Sequence, residues 1–384
     1  MRKRIYIIIM LFALIVGELF LYVHTTKEKT EEIEVEEDRV VEVSFLAVGD
    51  NLIHSPIYRY HKTEDGSYNF DDIFEHTNYL TQNVDLAYIN FETICAGEEL
   101  KLSSYPQFNG PVEMIDGVTK AGFDWLSGAS NHSFDRGEKG ILKQLDYVRT
   151  YHPEVIMTGL HDSWEDANTP QVLTIKGLKV GVLDYTYGMN GYTLPKGKEY
   201  LVDLIDREKM KTDMDKLRMI SDVQIVSIHW GIEYKLEPDE TQKELAQYLS
   251  DLGADVIIGT HPHVIQPVTY LTGQEGNQTL VMYSLGNFLS AQDQTNCMLG
   301  GMMTWNIAYN QTKHEILIKD VKFLPTVTQI ENGYKQYQTY ALKDWTDEMA
   351  QRHTLYKKGQ DVSRQYYIDL VQRVIGDTVD IVYE

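Results

Sequence analysis

Three histidines stand where apolar runs stop. His229 closes the stretch 223–229, and His261 and His263 sit in Gly259-Thr-His-Pro-His263, directly after 255–258. An imidazole at a strand end offers a neutral nitrogen to a metal ion from rigid scaffolding. The same event recurs upstream with oxygen donors. Residues 43–48 stop at Gly49-Asp50, 84–89 at Asn90-Phe-Glu92, and 123–126 lead through 127–130 into Asn131-His132. Carboxylate and amide oxygens mixed with imidazoles suit Mn, Fe or Zn better than calcium or a thiolate-seeking ion. Asp50, Glu92, Asn131, His229, His261 and His263 are more ligands than one tetrahedral ion takes from protein. Two ions about 3.5–4 Å apart, sharing a carboxylate, would use them all. Glu92, ending a central strand, is the candidate bridge. The pair His261-Pro-His263 is the firmest signal, because Pro262 stiffens two imidazoles that face one side.

His132 follows Asn131 and should point near the ligand cluster. As an imidazolium it could donate a proton to a leaving-group oxygen, with Asp135 fixing its tautomer. The plainer reading makes it a hydrogen-bond donor to a ligand. Around the same rim, His54 could be a further ligand or substrate contact, although an ordinary loop histidine is simpler. Ser284 and Asn287 in Tyr283-Ser-Leu-Gly-Asn287 could shape the pocket, and Glu233 and Lys235 could line its entrance.

The elements that position these residues alternate. Short Val/Ile/Leu runs at 43–49, 84–90, 123–128, 154–158, 171–175, 178–184, 223–229, 255–259 and 279–284 predict strands. Ile141, Leu142, Leu145 and Val148 keep helical spacing, as do Leu245, Leu249 and Leu252 behind an Asp239/Gln242 capping pair. Alternating strand and helix imply an α/β protein with mostly parallel sheet, whose ligands gather beyond the carboxyl ends of strands. Residues 302–309 and 316–323 alternate around Asn310-Gln-Thr-Lys313 and predict a hairpin. From 342 to 375 the chain reads as helices.

The 384 residues are 43% hydrophobic, which describes a folded protein. Arg2-Lys3-Arg4 precedes 5–23, whose one charge is Glu18. That length is close to the ~20 residues a bilayer-crossing helix needs. Cations before it and acids after it place the N-terminus inside and the bulk outside the cell. No small-x-small cleavage site follows, so an uncleaved single-pass anchor in the lipid bilayer is expected over 1–23, and a charged stalk over 24–41. The main domain is then expected over 42–325 and a helical C-terminal extension over 326–384. Residues 24–384 hold 32 Lys/Arg against 56 Asp/Glu, a net charge of −24. Such a surface repels nucleic acid, so no nucleic-acid partner is expected. Cys95 and Cys297 could form one bridge in an oxidising exterior, but their spacing does not decide it.

Taken together and in order, several stretches resemble the CapA (PgsA) capsule-synthesis family, relatives of calcineurin-like metallophosphoesterases. They are Ala47-Val-Gly-Asp50, Asn90-Phe-Glu92, 108–114, Gly122-Phe-Asp124, Asn131-His-Ser-Phe-Asp-Arg-Gly137, His229-Trp-Gly231, Gly259-Thr-His-Pro-His263 and Ser284-Leu-Gly-Asn-Phe288. The resemblance covers about 43–323. It implies a metallophosphatase-like αββα sandwich, one or two divalent ions on the six ligands named above, and His132 as acid or transition-state contact. It also implies work on poly-γ-glutamate at the bacterial surface, beside membrane synthase subunits. The phosphoesterase signature carries a histidine two residues after its first aspartate, where this chain has Leu52. Two other roles fit the same residues: a surface phosphoesterase unconnected with capsule, and a non-catalytic scaffold for a membrane polymer synthase.

Overall fold

The computed structural model describes residues 2–25 and 39–383. The chain forms two compact units, 1–39 and 40–384. In the first, Arg2–Thr25 is one helix, with Ile7, Met10, Phe12 and Leu14 exposed. Among the described residues no helix is long and apolar enough to cross a membrane, so the span expected at 1–23 is not shown. Most of the expected stalk, 26–38, lies outside the described residues. At its expected end, Val40 and Val41 already pair with Asn310 and Tyr309.

Among the described residues the second unit holds fifteen strands. They are β1 (Val40–Asn51), β2 (Leu86–Asn90), β3 (Trp125–Ser127), β4 (Ile156–Thr158), β5 (Gln171–Ile175), β6 (Leu178–Thr186), β7 (Val223–His229) and β8 (Val256–Thr260), followed by β9 (Val268–Thr272), β10 (Gln278–Met282), β11 (Asn287–Leu289), β12 (Leu299–Asn310), β13 (Glu315–Glu331), β14 (Gln336–Ala341) and β15 (Asp380–Ile381). One sheet has the order β14-β13-β12-β1-β2-β3-β4, with β11 beside β1 and β15 beside β13; the other runs β5-β6-β7-β8-β10-β9. The inner strands β1–β4 are parallel, and so are β6, β7, β8 and β10. β12, β13 and β14 in the first sheet and β5 and β9 in the second pair antiparallel, whereas β11 and β15 pair parallel. The parallel expectation therefore holds for the strands that carry the chemistry.

Burial explains the two layers. Along β7, Val223 and Ile225 share a core with Phe45, Ala47, Ala87 and Ile89 of the first sheet. The alternate residues Val226 and Ile228 pack instead with Ile257, Val281, Met210, Met214, Leu245 and Leu249. The helices Arg207–Arg218 and Glu240–Asp251 thus cover the outer face of the second sheet. Each fully buried aliphatic side chain contributes roughly 1.5–3 kcal/mol. The capping pair forms as the sequence predicts: Gln242 N–H donates to Asp239 at 2.8 Å and Asp239 N–H to Gln242 Oε1 at 3.0 Å.

The expected boundary at 325/326 falls inside a strand. β13 runs straight through Pro325, which stands opposite Gly301 and accepts from Leu342 N–H at 2.7 Å. A proline mid-strand is tolerated here because Gly301 sends its own N–H to Leu285 O at 2.7 Å. The expected helical extension is real over Asp347–Arg352, Thr354–Lys357 and Arg364–Ile375. It nevertheless belongs to the first sheet's unit through β14 and β15. Cys95 and Cys297 are buried free thiols, so the optional bridge does not form.

Candidate metal centre

Strand parity aims the ligands. Val223, Ile225, Ser227 and His229 occupy the inward positions of β7, and Ser227 reaches across the layers to Tyr88 OH at 2.7 Å and Ser127 Oγ at 3.1 Å. One step further along the same face, His229 meets the ends of β1 and β2. Asp50 and Asn90 lie opposite each other in the β1–β2 register, and Asn90 Nδ2 donates to Asp50 Oδ1 at 2.7 Å. Gly49 lets β1 approach the 284–288 turn: a Cβ there would fall 1.8 Å from Gly286 O, which accepts Asp50 N–H at 2.8 Å.

After β8 the chain turns sharply. His261 and His263 hold φ of +99° and +59°, a left-handed region that non-glycine residues avoid. Such strain persists only where the surroundings enforce it, and it clusters at functional sites. Here His261 N–H donates to Asp50 Oδ1 at 3.3 Å, and His263 Nδ1 lies 3.0 Å from Asp50 Oδ2 and 3.1 Å from Asn287 Oδ1.

The donors form two overlapping triads. Glu92, His229 and His261 make one, and Asp50, Glu92 and His263 the other; in each, one atom per residue lies within 4.8 Å of the others. Glu92 belongs to both. His229 Nε2 and His263 Nε2 each stand 3.8 Å from Glu92 Oε1. Asn131 Oδ1 is 3.1 Å from His229 Nε2, so it joins the first triad. Both Glu92 carboxylate oxygens and His261 Nδ1 are buried without a hydrogen-bond partner. Unpaired buried polar atoms cost about 1–3 kcal/mol each, more when charged, so these atoms are arranged for something else.

The electrostatics agree. Burial, then the neighbouring imidazoles, hold His229 well below its usual range and His261 at about 3, which favours the neutral, metal-binding form of both. Burial also drives Glu92 well above a normal carboxylate, with Asp50 and Glu233 adding to the push. Burial opposes the charge on His263, yet Glu92 and Asp50 outweigh it and raise His263 to about 9. The cluster is short of positive charge. Neutral imidazoles, an amide oxygen and a Glu92 carboxyl without partners fit a divalent cation.

Beside the triads, His132 Nδ1 lies 2.7 Å from Asp135 Oδ2, which also accepts Phe108 N–H at 2.6 Å. Phe108 packs edge-on against the His132 ring at 4.6 Å. Asn287 touches His263, whereas Ser284 spends its hydroxyl on Val264 O at 2.8 Å and serves the turn. His54 stays outside the triads: Leu52 O lies 3.2 Å from its Nδ1, and burial lowers it to about 4. Glu233 is exposed and stands against His261 and His263.

Three residues escaped the sequence reading. Asn90 was visible only as part of a motif, and it orients Asp50. Tyr187 lies with its ring centroid 4.7 Å from His261, and Asn190 Oδ1 accepts from Asn131 Nδ2 at 3.3 Å. Both follow β6, whose end Thr186 pairs with His229. The strand-end rule applied to β6 would have found Tyr187; nothing in the spacing marked Asn190.

A two-sheet α/β sandwich with a buried carboxylate–imidazole centre at its strand ends defines the class. Residues 44–292, more than half of the chain, match the family described as "Bacterial capsule synthesis protein PGA_cap", and the chain belongs to that family. It is similar to the PGA biosynthesis protein CapA of Bacillus subtilis (strain 168), 26% identical over 302 residues, 77% of this chain and 75% of that one. It is also similar to the capsule biosynthesis protein CapA of Bacillus anthracis, 27% identical over 254 residues, 64% of this chain and 60% of the relative. Among solved structures, a phosphatase from Mycoplasma pneumoniae aligns with TM-score 0.45 and 12% identity, over 75% of this chain and 95% of that one. A 5'-nucleotidase precursor from Thermus thermophilus aligns with TM-score 0.43 and 12% identity, over 87% of this chain and 59% of that one.

Proposed function

We propose that this protein is a membrane-anchored, extracytoplasmic metalloprotein that acts on poly-γ-glutamate in capsule synthesis or export through a hydrolytic metal centre of metallophosphoesterase type. One observation carries the chemistry: two donor triads share Glu92, whose buried carboxylate oxygens have no other partner. Asp50, Glu92, Asn131, His229, His261 and His263 are the ligands, for one or two ions of Mn, Fe or Zn. Bound there, a divalent ion supplies Lewis-acid polarisation and a lowered water pKa. The chain's own residues do the rest. Asp135 accepts Nδ1–H of His132, which leaves Nε2 to pass a proton to a leaving-group oxygen. Asn90 and the backbone N–H of His261 hold the Asp50 carboxylate in one orientation. The family supports capsule work, and the cationic, then apolar, N-terminal sequence supports the anchor, with the synthase's membrane subunits as neighbours.

The test uses the full chain purified in detergent and the same chain in a capsule-forming host. Elemental analysis should find Mn, Fe or Zn, and phosphoester turnover should depend on added Mn²⁺. A His261→Ala/His263→Ala host should lose capsule polymer. Polymer made normally by that host, with no ester turned over by the pure protein, would replace this reading with a scaffold. Externally added protease should digest the 40–384 unit on intact protoplasts; full protection would remove the outside location.

A further inference from the structure

Each triad has one amide oxygen beside it. Glu92, His229 and His261 have Asn131 Oδ1, 3.1 Å from His229 Nε2. Asp50, Glu92 and His263 have Asn287 Oδ1, 3.1 Å from His263 Nδ1. Four protein donors leave an octahedral manganese ion room for further ligands. Glu233 stands on the open side: one of its carboxylate oxygens lies within 4.8 Å of a nitrogen of both His261 and His263. Those two rings belong to different triads. His261, 3% exposed, keeps Nδ1 without a partner in the same cluster.

The segment that carries Glu233 is tied to the histidine turn rather than left free. Tyr234 N–H donates to Pro262 O at 2.8 Å, between the two histidines, and Gln266 Nε2 donates to Lys235 O at 2.9 Å. Charge points the same way. Asp50 and Glu92 bring two negative charges against the four positive charges of two divalent ions, and a third carboxylate narrows that gap.

We propose that Glu233 is a metal ligand: a solvent-side carboxylate that completes the ion held by Asp50, Glu92 and His263. It rests on the metal-centre reading above. Because it reaches the centre from the exposed side, it is the ligand that an incoming oxyanion, carboxylate or phosphate, can displace without disturbing the buried set.

The test measures Mn²⁺ binding to the full chain in detergent by calorimetry and by metal-to-protein ratio after gel filtration. Wild type should hold two ions. Glu233→Gln, an isosteric change at an exposed position, should weaken one ion by at least roughly tenfold and spare the other. Glu237→Gln, an equally exposed acid nearby, should bind like wild type. Wild-type stoichiometry and affinity in Glu233→Gln overturns the assignment. Equal weakening in both variants also overturns it, because that is the signature of general surface charge. Wild type without bound metal overturns the metal-centre reading itself. His261→Ala with His263→Ala releases both ions if that reading holds, whatever Glu233 does.

Discussion

Two histidine–carboxylate clusters in the 40–384 unit are built from the same residue types and behave oppositely. In the first, His229, His261 and His263 crowd against Asp50 and Glu92, and several buried donor and acceptor atoms stay unpaired. In the second, His161 Nε2 lies 2.7 Å from Asp203 and its Nδ1 3.8 Å from Asp166. Arg149 reaches Asp166 at 2.6 Å and Lys209 reaches Asp203 at 3.1 Å. Burial opposes the charge on His161, but Asp166 and Asp203 raise it to about 9, whereas His261 falls to about 3. His161, Asp166, Asp203 and Lys209 line a cavity of about 250 Å³, yet their charges already neutralise one another. In the second cluster each carboxylate has a cationic partner. In the first, both Glu92 oxygens and the His261 Nδ1 have no hydrogen-bond partner, which is what a metal ion would use.

The strongest way to break this contrast is to delete the ligands. His261→Ala with His263→Ala should abolish metal binding, so that a chelator which lowers the melting temperature of wild type leaves the variant unmoved. A chelator response that persists in the variant would place the metal elsewhere. His132→Ala should keep the metal and lower metal-dependent phosphoester turnover by about a hundredfold, the lower end for a lost general acid. An unchanged rate would return His132 to a hydrogen-bonding role.

The second cluster should respond in stability alone. His161→Ala leaves Asp203 buried without its main partner and should cost about 3 kcal/mol in denaturant unfolding, with metal content untouched. Metal loss there would merge the two clusters into one functional unit. The smallest effect is the pH dependence of that loss. His161 titrates near 9 in the folded chain and about 6.5 unfolded, so its contribution is complete below about pH 6.5 and disappears as pH rises through about 9. The stability gap between wild type and His161→Ala should narrow across that window. A constant gap would mean that packing, not charge, holds His161.

Much of the centre was legible because it follows strand ends. In a parallel sheet the strands finish on one edge, so the residues closing 43–48 and 84–89 share one rim and those closing 223–229 and 255–258 another. Packing of the two sheets then brings Asp50 and Glu92 to His229, His261 and His263. Residues that reach the rim from loops left no such mark: Asn190 enters from the chain after β6 and Glu233 from the chain after β7. The length of β13 left no such mark either, because its continuation past 323 is visible only in its pairing with β12 and β14.

By itself the sequence determined the α/β class, the order of the inner strands along the chain, and the donor types gathered at their ends. Those depend on local hydrophobic runs and on which side chain follows each one. Only the tertiary structure decided which donors share an ion-sized space, that Glu92 stands in both triads, and that His161 is charged where His261 is neutral. Ligand distances and local charge depend on how two sheets pack face to face, and that register is set by contacts between residues far apart in the chain.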